Sequence, residues 1–236
     1  MFLTIRNVSI HFRKIEAVKD VSMEVPEGMI VALLGANGAG KSTLFKAISG
    51  FLKPVSGGIW FREGRIDGKL PDEILRRGIS QVLEGKRLFR RQTVLENLDM
   101  GAYSRNDGRQ EIAKDREELL ERFPILKEKA KVKSGLLSGG QQQILAIARS
   151  LMARPKLLLM DEPAQGLAPL VIKEIAEIIK KLNEAGLTIM VIEHNVRLAL
   201  GLAVKVFILD NGKLAFEGTP ASFSEDEYTQ KVYLGG

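Results

Sequence analysis

A glycine-rich segment constrains the fold of this chain more than any other feature. Its residues are Gly35, Ala36, Asn37, Gly38, Ala39, Gly40, Lys41, Ser42 and Thr43. They fit the pattern G-x-x-x-x-G-K-[ST] and follow an apolar run that predicts a strand, Met29 to Leu34, and lead into a run that predicts a helix, Ser42 to Phe51. Glycines let such a loop approach an anion and point successive backbone N–H groups at it, and the helix N-terminus adds a partial positive charge. The segment therefore predicts a strand–loop–helix unit that cradles phosphate groups.

Two side chains of this segment complete the predicted phosphate site. We expect Lys41 to reach the β- and γ-phosphates of a nucleoside triphosphate and the hydroxyl of Ser42 to bind Mg²⁺. The alternative is a glycine-rich turn with a surface lysine. At a background glycine usage of ~7%, the full pattern arises by chance in roughly one chain of this length in a hundred, so the pattern favours the nucleotide site.

Composition limits the class of protein. The 236 residues are enough for one large α/β domain or for a domain with an inserted lobe. The chain has no cysteine and two histidines, which excludes disulfides, thiolate zinc sites, cysteine nucleophiles and a histidine-rich metal site. A solvated surface explains the net charge of +6 without a nucleic-acid partner. The sequence has no apolar run of about 18 residues and no basic leader, so we expect a cytosolic chain without a membrane span or a secretory signal.

The order of strand-like and helix-like patterns predicts an α/β fold. Strand patterns come first, at Phe2 to Phe12, Val18 to Val25 and Ile59 to Arg65, with turn signals at Pro26 to Gly28 and Ser56 to Gly58. A mostly helical region follows, from about Arg90 to Met152. The chain then alternates between the patterns of strands and helices, at Leu157 to Met160, Leu170 to Ala185, Leu187 to Ile192, Asn195 to Leu202 and Val204 to Leu209. Unbroken apolar strands between helices are typical of a parallel sheet that is covered on both faces.

Two carboxylates follow the apolar strand pattern that ends at Met160. Asp161 is a hard oxygen ligand at a strand end, where a Mg²⁺ ion beside the phosphate loop needs one. Glu162, one residue on, would point elsewhere and could orient or deprotonate an attacking water molecule. Two solvent-facing acids at a strand end are the alternative. The phosphate loop in the same chain favours the catalytic interpretation.

A second helix start carries the features of an anion site. In Leu137-Ser138-Gly139-Gly140-Gln141, Ser138 can cap the helix and Gln141 can complete a capping box. The two glycines after the cap leave backbone N–H groups uncovered. The chain then has two anion-binding helix starts but one lysine-bearing phosphate loop. We infer that the second helix start serves a nucleotide that is held by another copy.

The motifs in this order resemble those of the ATP-binding subunits of ABC transporters, over essentially the whole chain. The resemblance is carried by the phosphate loop, then Leu-Ser-Gly-Gly-Gln, then Asp161-Glu162, then a histidine after the next strand, His194. It implies a P-loop NTPase core with a mostly parallel sheet, an N-terminal antiparallel β subdomain and an inserted helical subdomain. The corresponding boundaries are residues 1–85 and 155–236 for the core with its β subdomain and 86–154 for the helical subdomain.

The resemblance also implies how two subunits bind ATP. In this family two ATP molecules lie at the interface of a head-to-tail dimer, each between the phosphate loop of one subunit and the second helix start of the other. That helix start comprises Ser138, Gly139, Gly140 and Gln141. His194 is then expected to contact the γ-phosphate and the attacking water, and Phe12 to stack on the adenine ring. The partner subunit is either a second copy or a paralogue.

Longer stretches resemble the branched-chain amino acid importers within this family, and most of all the second of their two ATPase subunits, LivF. These stretches are Met152 to Pro169, Glu84 to Phe89 and Lys231 to Gly235. The ATPases that export lipopolysaccharide have a sequence similar to that of Glu193 to Arg197, and they remain an alternative. A soluble ABC ATPase that acts on DNA or ribosomes is a weaker alternative, because this chain has one cassette and no cysteine. A phosphate-loop module that binds nucleotide without turnover is a third.

Three positions depart from the common pattern of the family. Most members have a Mg²⁺-binding Gln at the start of the mobile loop between the lobes, and here Glu84 occupies that position, while Gln81 lies three residues earlier. We assign Mg²⁺ and nucleotide binding to Glu84, with Gln81 as the alternative. Ala168 replaces the usual Asp after the catalytic Glu, as in the branched-chain group. Gln165 stands where that group has Leu.

A basic cluster, Lys86 to Arg91, follows the mobile loop. Members of the family dock a short helix of the membrane subunit at this place, and Phe89 with its flanking arginines is a plausible partner surface. The alternative is a solvated loop. The sequence therefore predicts an ATP-hydrolysing subunit, bound peripherally at the cytoplasmic face of the inner membrane, that powers an importer for branched-chain or other hydrophobic amino acids.

Overall fold

The computed structural model of the chain describes residues 2–12 and 15–229, without the side chains of Phe12 and Tyr228. The C-terminal stretch Lys231 to Gly235 that contributes to the resemblance lies outside the described residues. The strands of the described part are β1 (Leu3–Phe12), β2 (Ile15–Val25), β3 (Ile30–Leu34), β4 (Ser56–Phe61), β5 (Gly64–Arg65), β6 (Ile79–Val82), β7 (Leu157–Asp161), β8 (Thr188–Ile192), β9 (Lys205–Asp210) and β10 (Lys213–Gly218).

The helices between these strands have the following bounds. They are α1 (Lys41–Ile48), α2 (Pro71–Arg76), α3 (Val94–Gly101), α4 (Arg109–Arg122), α5 (Pro124–Glu128), α6 (Gly139–Leu151), α7 (Pro169–Glu184), α8 (Val196–Leu202), α9 (Pro220–Glu225) and α10 (Glu227–Thr229). A short 3-10 helix, Ser134–Leu136, precedes α6. Among the helices of the described residues, none has the length and apolar character needed to cross a membrane.

The central sheet has six strands in the order β10-β9-β3-β8-β7-β6. Neighbouring strands from β9 to β6 run parallel, and β10 pairs with β9 antiparallel at one edge. The residues of β3, β7 and β8 are buried throughout, which explains their unbroken apolar sequences. Because parallel strands share one direction, the ends of β3, β7 and β8 meet at the same edge of the sheet.

A four-stranded antiparallel sheet, in the order β2-β1-β4-β5, covers one face of the central sheet together with α1. The apolar side chains of β1 and β2 pack with Leu44 and Phe45 of α1 and with the β3 residues Val31 and Leu33 in one buried cluster. A second cluster on the opposite face joins Ala32 and Leu34 of β3 to side chains of α6, α7 and α8. Each residue of β3 thus faces one of two cores, so the strand that leads into the phosphate loop is held on both sides.

The fold confirms the predicted α/β class, two local predictions are corrected, and three elements had not been predicted. Ser56 to Gly58 is part of strand β4 and not a turn, because Ser56 and Gly58 pair with Ser9 and Arg6 of β1. Gly57 takes a left-handed φ of 76° at the register shift between these two pairs. The predicted strand Ile59 to Arg65 is a hairpin that turns after Phe61. The strands β6 and β10 had no predicted counterpart, since β6 has four residues and β10 alternates between exposed and half-buried residues. Helix α2 was also missed.

Helices α3 to α6 form the segment between β6 and β7. An ion cluster joins the loop after α3 and helix α4 to the residues between α6 and β7. Arg105 donates to Asp107, to Asp115 at 2.5 Å and to the carbonyl of Met152 at 2.9 Å, and its side chain is 8% exposed. Arg154 donates to Asp115 at 2.6 Å and 2.8 Å. The Arg154 guanidinium, and then that of Arg105, hold the pKa of Asp115 below its usual range.

We predict that Asp115→Asn destabilises the chain, because it removes the carboxylate that both arginines share. The expected cost at pH 7 is about 1–2 kcal/mol, or a melting temperature lower by roughly 5 °C. A carboxyl with a depressed pKa stabilises the fold fully above its unfolded pKa of about 4, and this stabilisation is lost as the pH falls below that value towards the lower pKa of the folded state. The difference in stability between the variant and the parent should therefore shrink below about pH 4.

Thermal unfolding between pH 3 and 8 measures this difference. Glu177→Gln is the matched control, because the Glu177 side chain is 62% exposed and pairs with Lys180 at 3.4 Å. An exposed pair of this kind should contribute less than about 0.5 kcal/mol. An equal loss in both variants at every pH would contradict the assignment of a stabilising cluster to Asp115.

Candidate nucleotide-binding and catalytic site

The glycine-rich loop lies between β3 and α1, and its backbone packs too closely for side chains at two positions. A Cβ atom on Gly35 would lie 2.3 Å from the carbonyl oxygen of Leu209 in β9, and Gly35 has a φ of 148°. A Cβ atom on Gly40 would lie 2.3 Å from the carbonyl oxygen of Ala17 in β2, and Gly40 has a φ of 104°. Glycine is required at both positions for steric and conformational reasons. The loop is thereby held between the two sheets.

Lys41 is the first residue of α1, and its side chain folds back over the loop. The ammonium Nζ donates to the carbonyl oxygens of Gly35 at 2.7 Å and Ala36 at 2.9 Å, and the residue is 5% exposed. Burial lowers the pKa of Lys41, while the charges of Glu162 and Asp161 raise it. A compact cation of this kind, surrounded by the loop, fits the phosphate-binding role that its sequence position predicts.

Ser42 and Asp161 are brought together from opposite parts of the sequence. The Ser42 hydroxyl donates to Oδ1 of Asp161 at 3.2 Å. Burial, together with the charges of Glu162 and Glu84, raises the pKa of Asp161 to about 6, against the hydrogen bond from Ser42 and the charge of Lys46. The hydroxyl and carboxylate oxygens are hard donors, and Mg²⁺ in nucleotide sites is held by one or two such groups together with phosphate oxygens. The residues present therefore fit Mg²⁺.

Glu162 follows β7 and takes a left-handed φ of 51°, which is unusual for a residue other than glycine. Its N–H donates to the carbonyl of Ile192 at 3.0 Å, and its carboxylate Oε1 lies 2.6 Å from Nε2 of His194. The other oxygen, Oε2, accepts from the amide of Gln165 at 2.6 Å. The Glu162 side chain is 10% exposed, while that of His194 is 37% exposed. The structure thus brings Glu162 and His194 into direct contact at the edge where β7 and β8 end.

Sequence reasoning missed Glu193, which lies between β8 and His194. The residue is 4% exposed, and its carboxylate accepts the N–H of Ala164 at 3.1 Å and also bonds to the backbone of Asn195 and His194. Burial raises the pKa of Glu193. The carboxylate therefore joins the segment after Glu162 to the loop that carries His194. An acid at the end of a fully apolar strand pattern was the available signal.

The structure distinguishes the two residues that were considered for the mobile loop. Gln81 is in β6, and its Oε1 accepts from the Ser49 hydroxyl at 2.5 Å, while its Nε2 is buried without a hydrogen-bond partner among the described residues. Glu84 follows the strand, and its charge acts on the pKa of Asp161. Glu84 is thus the residue near the Ser42–Asp161 pair, and Gln81 faces the C-terminal end of α1.

The second helix start has the predicted capping box. The N–H of Gln141 donates to Oγ of Ser138 at 3.3 Å, and the N–H of Ser138 donates to Oε1 of Gln141 at 3.0 Å. Ser138 and Gly139 are exposed. The atoms nearest to the Cβ positions of Gly139 and Gly140 belong to Lys86, Leu167 and Val171, and none of these belongs to the phosphate loop. The helix start therefore exposes Ser138 and Gly139 to solvent, and the neighbours of its two glycines do not include the loop of its own chain.

The backbone of Phe12 pairs with Ile15 at the end of the β1–β2 hairpin, and its side chain lies outside the described residues. Lys86 and Arg87 take left-handed φ values of 66° and 43° directly after β6 and Glu84. The described residues of the phosphate loop, Asp161, Glu162, His194 and Glu84 are gathered at one edge of the central sheet. The roles of these residues in binding and catalysis remain predictions.

Comparisons with known proteins agree with the fold and the motifs. A family model described as ABC transporter matches residues 18–165. The chain is 43% identical, over 99% of its length and 100% of the relative, to the high-affinity branched-chain amino acid transport ATP-binding protein BraG of Pseudomonas aeruginosa. It is 37% identical to the lipopolysaccharide export system ATP-binding protein LptB of Escherichia coli, over 99% of this chain and 97% of that one.

Two solved structures extend the comparison to the fold. The ADP conformation of MJ1267, an ATP-binding cassette of an ABC transporter, superposes with a TM-score of 0.89 at 30% identity and covers 100% of this chain and 99% of that chain. The dimeric post-hydrolysis state of the ATP-binding cassette MJ0796, bound to ADP and Pi, gives a TM-score of 0.83 at 29% identity and covers 93% and 99%. On this evidence the chain belongs to the ABC transporter family, as one of its ATP-binding subunits.

Proposed function

We propose that this chain hydrolyses ATP to power an importer for branched-chain or other hydrophobic amino acids. The observation that carries the chemistry is the contact at 2.6 Å between the carboxylate of Glu162 and His194, at the sheet edge that also holds the phosphate loop. The substrate class is supported by the 43% identity to BraG over the whole chain. The assignment to LivF in particular stays a prediction.

Export of a lipid is the second candidate, because the chain is 37% identical to LptB, less than to BraG. The membrane proteins that co-purify with the chain from its own cells discriminate the two. Permeases of an amino acid importer support the first candidate, and the membrane subunits of a lipid exporter support the second.

We assign the steps of hydrolysis to residues at this edge. Backbone N–H groups from Gly35 to Thr43 and the Lys41 ammonium bind the phosphates of ATP, and Ser42, Asp161 and Glu84 hold Mg²⁺. When bound, Mg²⁺ neutralises charge on the phosphate oxygens. Glu162 accepts a proton from the attacking water at a carboxylate oxygen, and His194 orients that water and the γ-phosphate. Phe12 binds the adenine ring.

Each nucleotide site is completed by a second subunit. The start of α6, with Ser138, Gly139, Gly140 and Gln141, carries backbone N–H groups, and the neighbours of its two glycines do not include the phosphate loop of its own chain. An ATP molecule bound to the loop of one subunit would receive these N–H groups from the other. The dimeric form of the related cassette MJ0796 supports this arrangement. We propose the same arrangement whether the second subunit is a copy or a paralogue.

A groove beside the basic cluster is the surface that we assign to the membrane subunit. It encloses about 320 Å³, and its lining includes Phe51, Phe89, Met100 and Tyr103, whose side chains are all exposed. Apolar side chains of this size in one concave surface are typical of an interaction site. The groove lies between α2 with β6 and the helical segment of residues 86–154, which we propose as a subdomain attached to the core of residues 1–85 and 155–236.

The segment that carries Phe89 is held rigidly, which suits a docking role. The side chain of Asn97, fully buried in α3, accepts the N–H of Phe89 at 3.0 Å and donates to its carbonyl at 3.2 Å. The Arg149 guanidinium lies 5.6 Å from the Phe89 ring centroid and donates to the carbonyl of Arg87 at 2.8 Å. Docking of permease subunits here would place the chain at the cytoplasmic face of the membrane.

We predict that Glu162→Gln lowers ATP turnover by at least about 100-fold, because an amide cannot accept the proton of the attacking water. Binding groups are unchanged, so ATP should hold the variant as a dimer. Phosphate release and size-exclusion chromatography with ATP measure the two effects. The control is Glu177→Gln, which makes the same chemical change at an exposed site on α7. Normal turnover by the Glu162 variant would show that another group is the base.

A nucleotide site shared by two subunits can be tested by cross-linking, because the chain has no cysteine of its own. In the Glu162→Gln background, Asn37→Cys combined with Ser138→Cys should give an ATP-dependent disulfide between subunits, because both positions are exposed and would lie next to each other at the interface that ATP closes. Non-reducing gel electrophoresis measures the dimer band. Neither single cysteine should give this band. An equal band without nucleotide would argue against an ATP-bridged interface.

We predict that Phe89→Glu reduces co-purification with the membrane subunits at least about tenfold, since it places a charge in the apolar groove. ATP binding by the isolated chain should be unchanged. Val204→Glu, at a residue that is 53% exposed and outside the groove lining, is the matched control. Unchanged co-purification of the Phe89 variant would exclude the groove as the docking surface.

A further inference from the structure

The carboxylate of Glu162 has two polar side-chain partners, one on each oxygen. Oε1 lies 2.6 Å from Nε2 of His194, and Oε2 lies 2.6 Å from Nε2 of Gln165. A carboxylate oxygen accepts hydrogen bonds, and the NH₂ group of Gln165 donates to Oε2. Both contacts are short, at 2.6 Å. Together they restrict rotation of the carboxylate about its terminal bond.

The backbone holds Gln165 in place for this contact. The N–H of Gln165 donates to the carbonyl oxygen of Glu162 at 3.1 Å and closes a tight turn. Inside the turn, the N–H of Ala164 donates to the buried carboxylate of Glu193 at 3.1 Å, which anchors the turn to the loop after β8. The Gln165 amide is therefore delivered to Oε2 by a turn that is fixed at two points, although the residue itself is exposed.

The charges around Glu162 explain why a neutral donor is useful there. The carboxylates of Asp161 and Glu193 each interact unfavourably with the charge of Glu162, and the Lys41 ammonium interacts favourably with it. An amide donor stabilises the orientation of the carboxylate without a further formal charge at the site. A leucine at position 165, as the branched-chain group usually has, would leave Oε2 without this donor.

We propose that Gln165 is a positioning residue, which acts through Glu162 by holding its carboxylate so that Oε1 stays directed at His194 and the attacking water. Gln165 does not touch the reacting atoms. Its contribution is made through the orientation of the base. The proposal rests on the proposed role of Glu162 and extends it to a residue that the family pattern does not include.

Four variants at two positions test the proposal by the kcat and KM of ATP hydrolysis. Gln165→Leu and the isosteric Gln165→Glu lack the donor, and each should lower kcat about tenfold with KM within about twofold, the loss expected for one hydrogen bond to a charged group. Gln165→His keeps a neutral N–H at a similar reach and should retain most of kcat. Gln110→Leu, on the exposed surface of α4, is the matched control and should behave as the parent.

A role in filling space predicts the opposite ranking, with Gln165→Glu active and Gln165→His impaired. That ranking would overturn the proposal. A second measurement uses the Glu162→Gln background, where Gln165→Leu should cause no further loss of residual turnover and no change in ATP-dependent dimer formation, because its effect passes through the missing carboxylate. A further tenfold loss, or a weaker dimer, would overturn the proposal in favour of a role at the subunit interface.

The same variants distinguish a wrong role for Gln165 from a wrong role for Glu162. Normal turnover by Glu162→Gln would overturn the base assignment and the role of Gln165 with it. An inactive Glu162→Gln with a fully active Gln165→Glu would overturn the positioning role alone.

Discussion

The site depends on the parallel pairing of β3, β8 and β7. Because these neighbouring strands run in one direction, the segments that follow them meet at one edge of the sheet. The phosphate loop follows the first, the pair Glu193 and His194 follows the second, and Glu162 follows the third. Ser42 and Asp161 are 119 positions apart in the chain and hydrogen-bond to each other as a result. Loss of this pairing would separate the phosphate loop from Asp161, Glu162 and His194.

The edge is also a place where charge is concentrated and partly desolvated. The Lys41 ammonium lies near the carboxylates of Asp161 and Glu162, and Glu162 in turn acts on the carboxylate of Glu193. Burial opposes ionisation of Lys41, Asp161 and Glu193, so each is stabilised by its contacts with loop carbonyls, a hydroxyl or backbone N–H groups. A nucleotide with its cation brings both signs of charge to this edge. Such prearranged charges are characteristic of sites where charge moves during a reaction.

Much of the fold could be predicted from the sequence, because its strongest signals are local. A few consecutive residues are enough to predict the apolar strands β7 and β8, the glycine-rich loop and the capping box of Ser138. The structure confirms these elements. Strand β6 could not be found in this way, since four residues with two polar members show no clear period. Strand β10 lies at the sheet edge and alternates between exposed and half-buried residues, so it lacks the apolar run of a central strand.

The α/β class, the phosphate loop and the candidate base could be predicted from the sequence alone, because each follows from residue types within a short stretch, and the order of several motifs along the chain carried the resemblance to the family. The folded structure was needed to show that Glu84 acts on Asp161 while Gln81 accepts a hydrogen bond from Ser49, that Glu193 anchors the turn after the base, and that Gln165 bonds to Glu162. These three relations join segments or fix side-chain directions through turns and strand ends. Their geometry depends on how strands pair in three dimensions, and residue spacing along the chain does not contain that information.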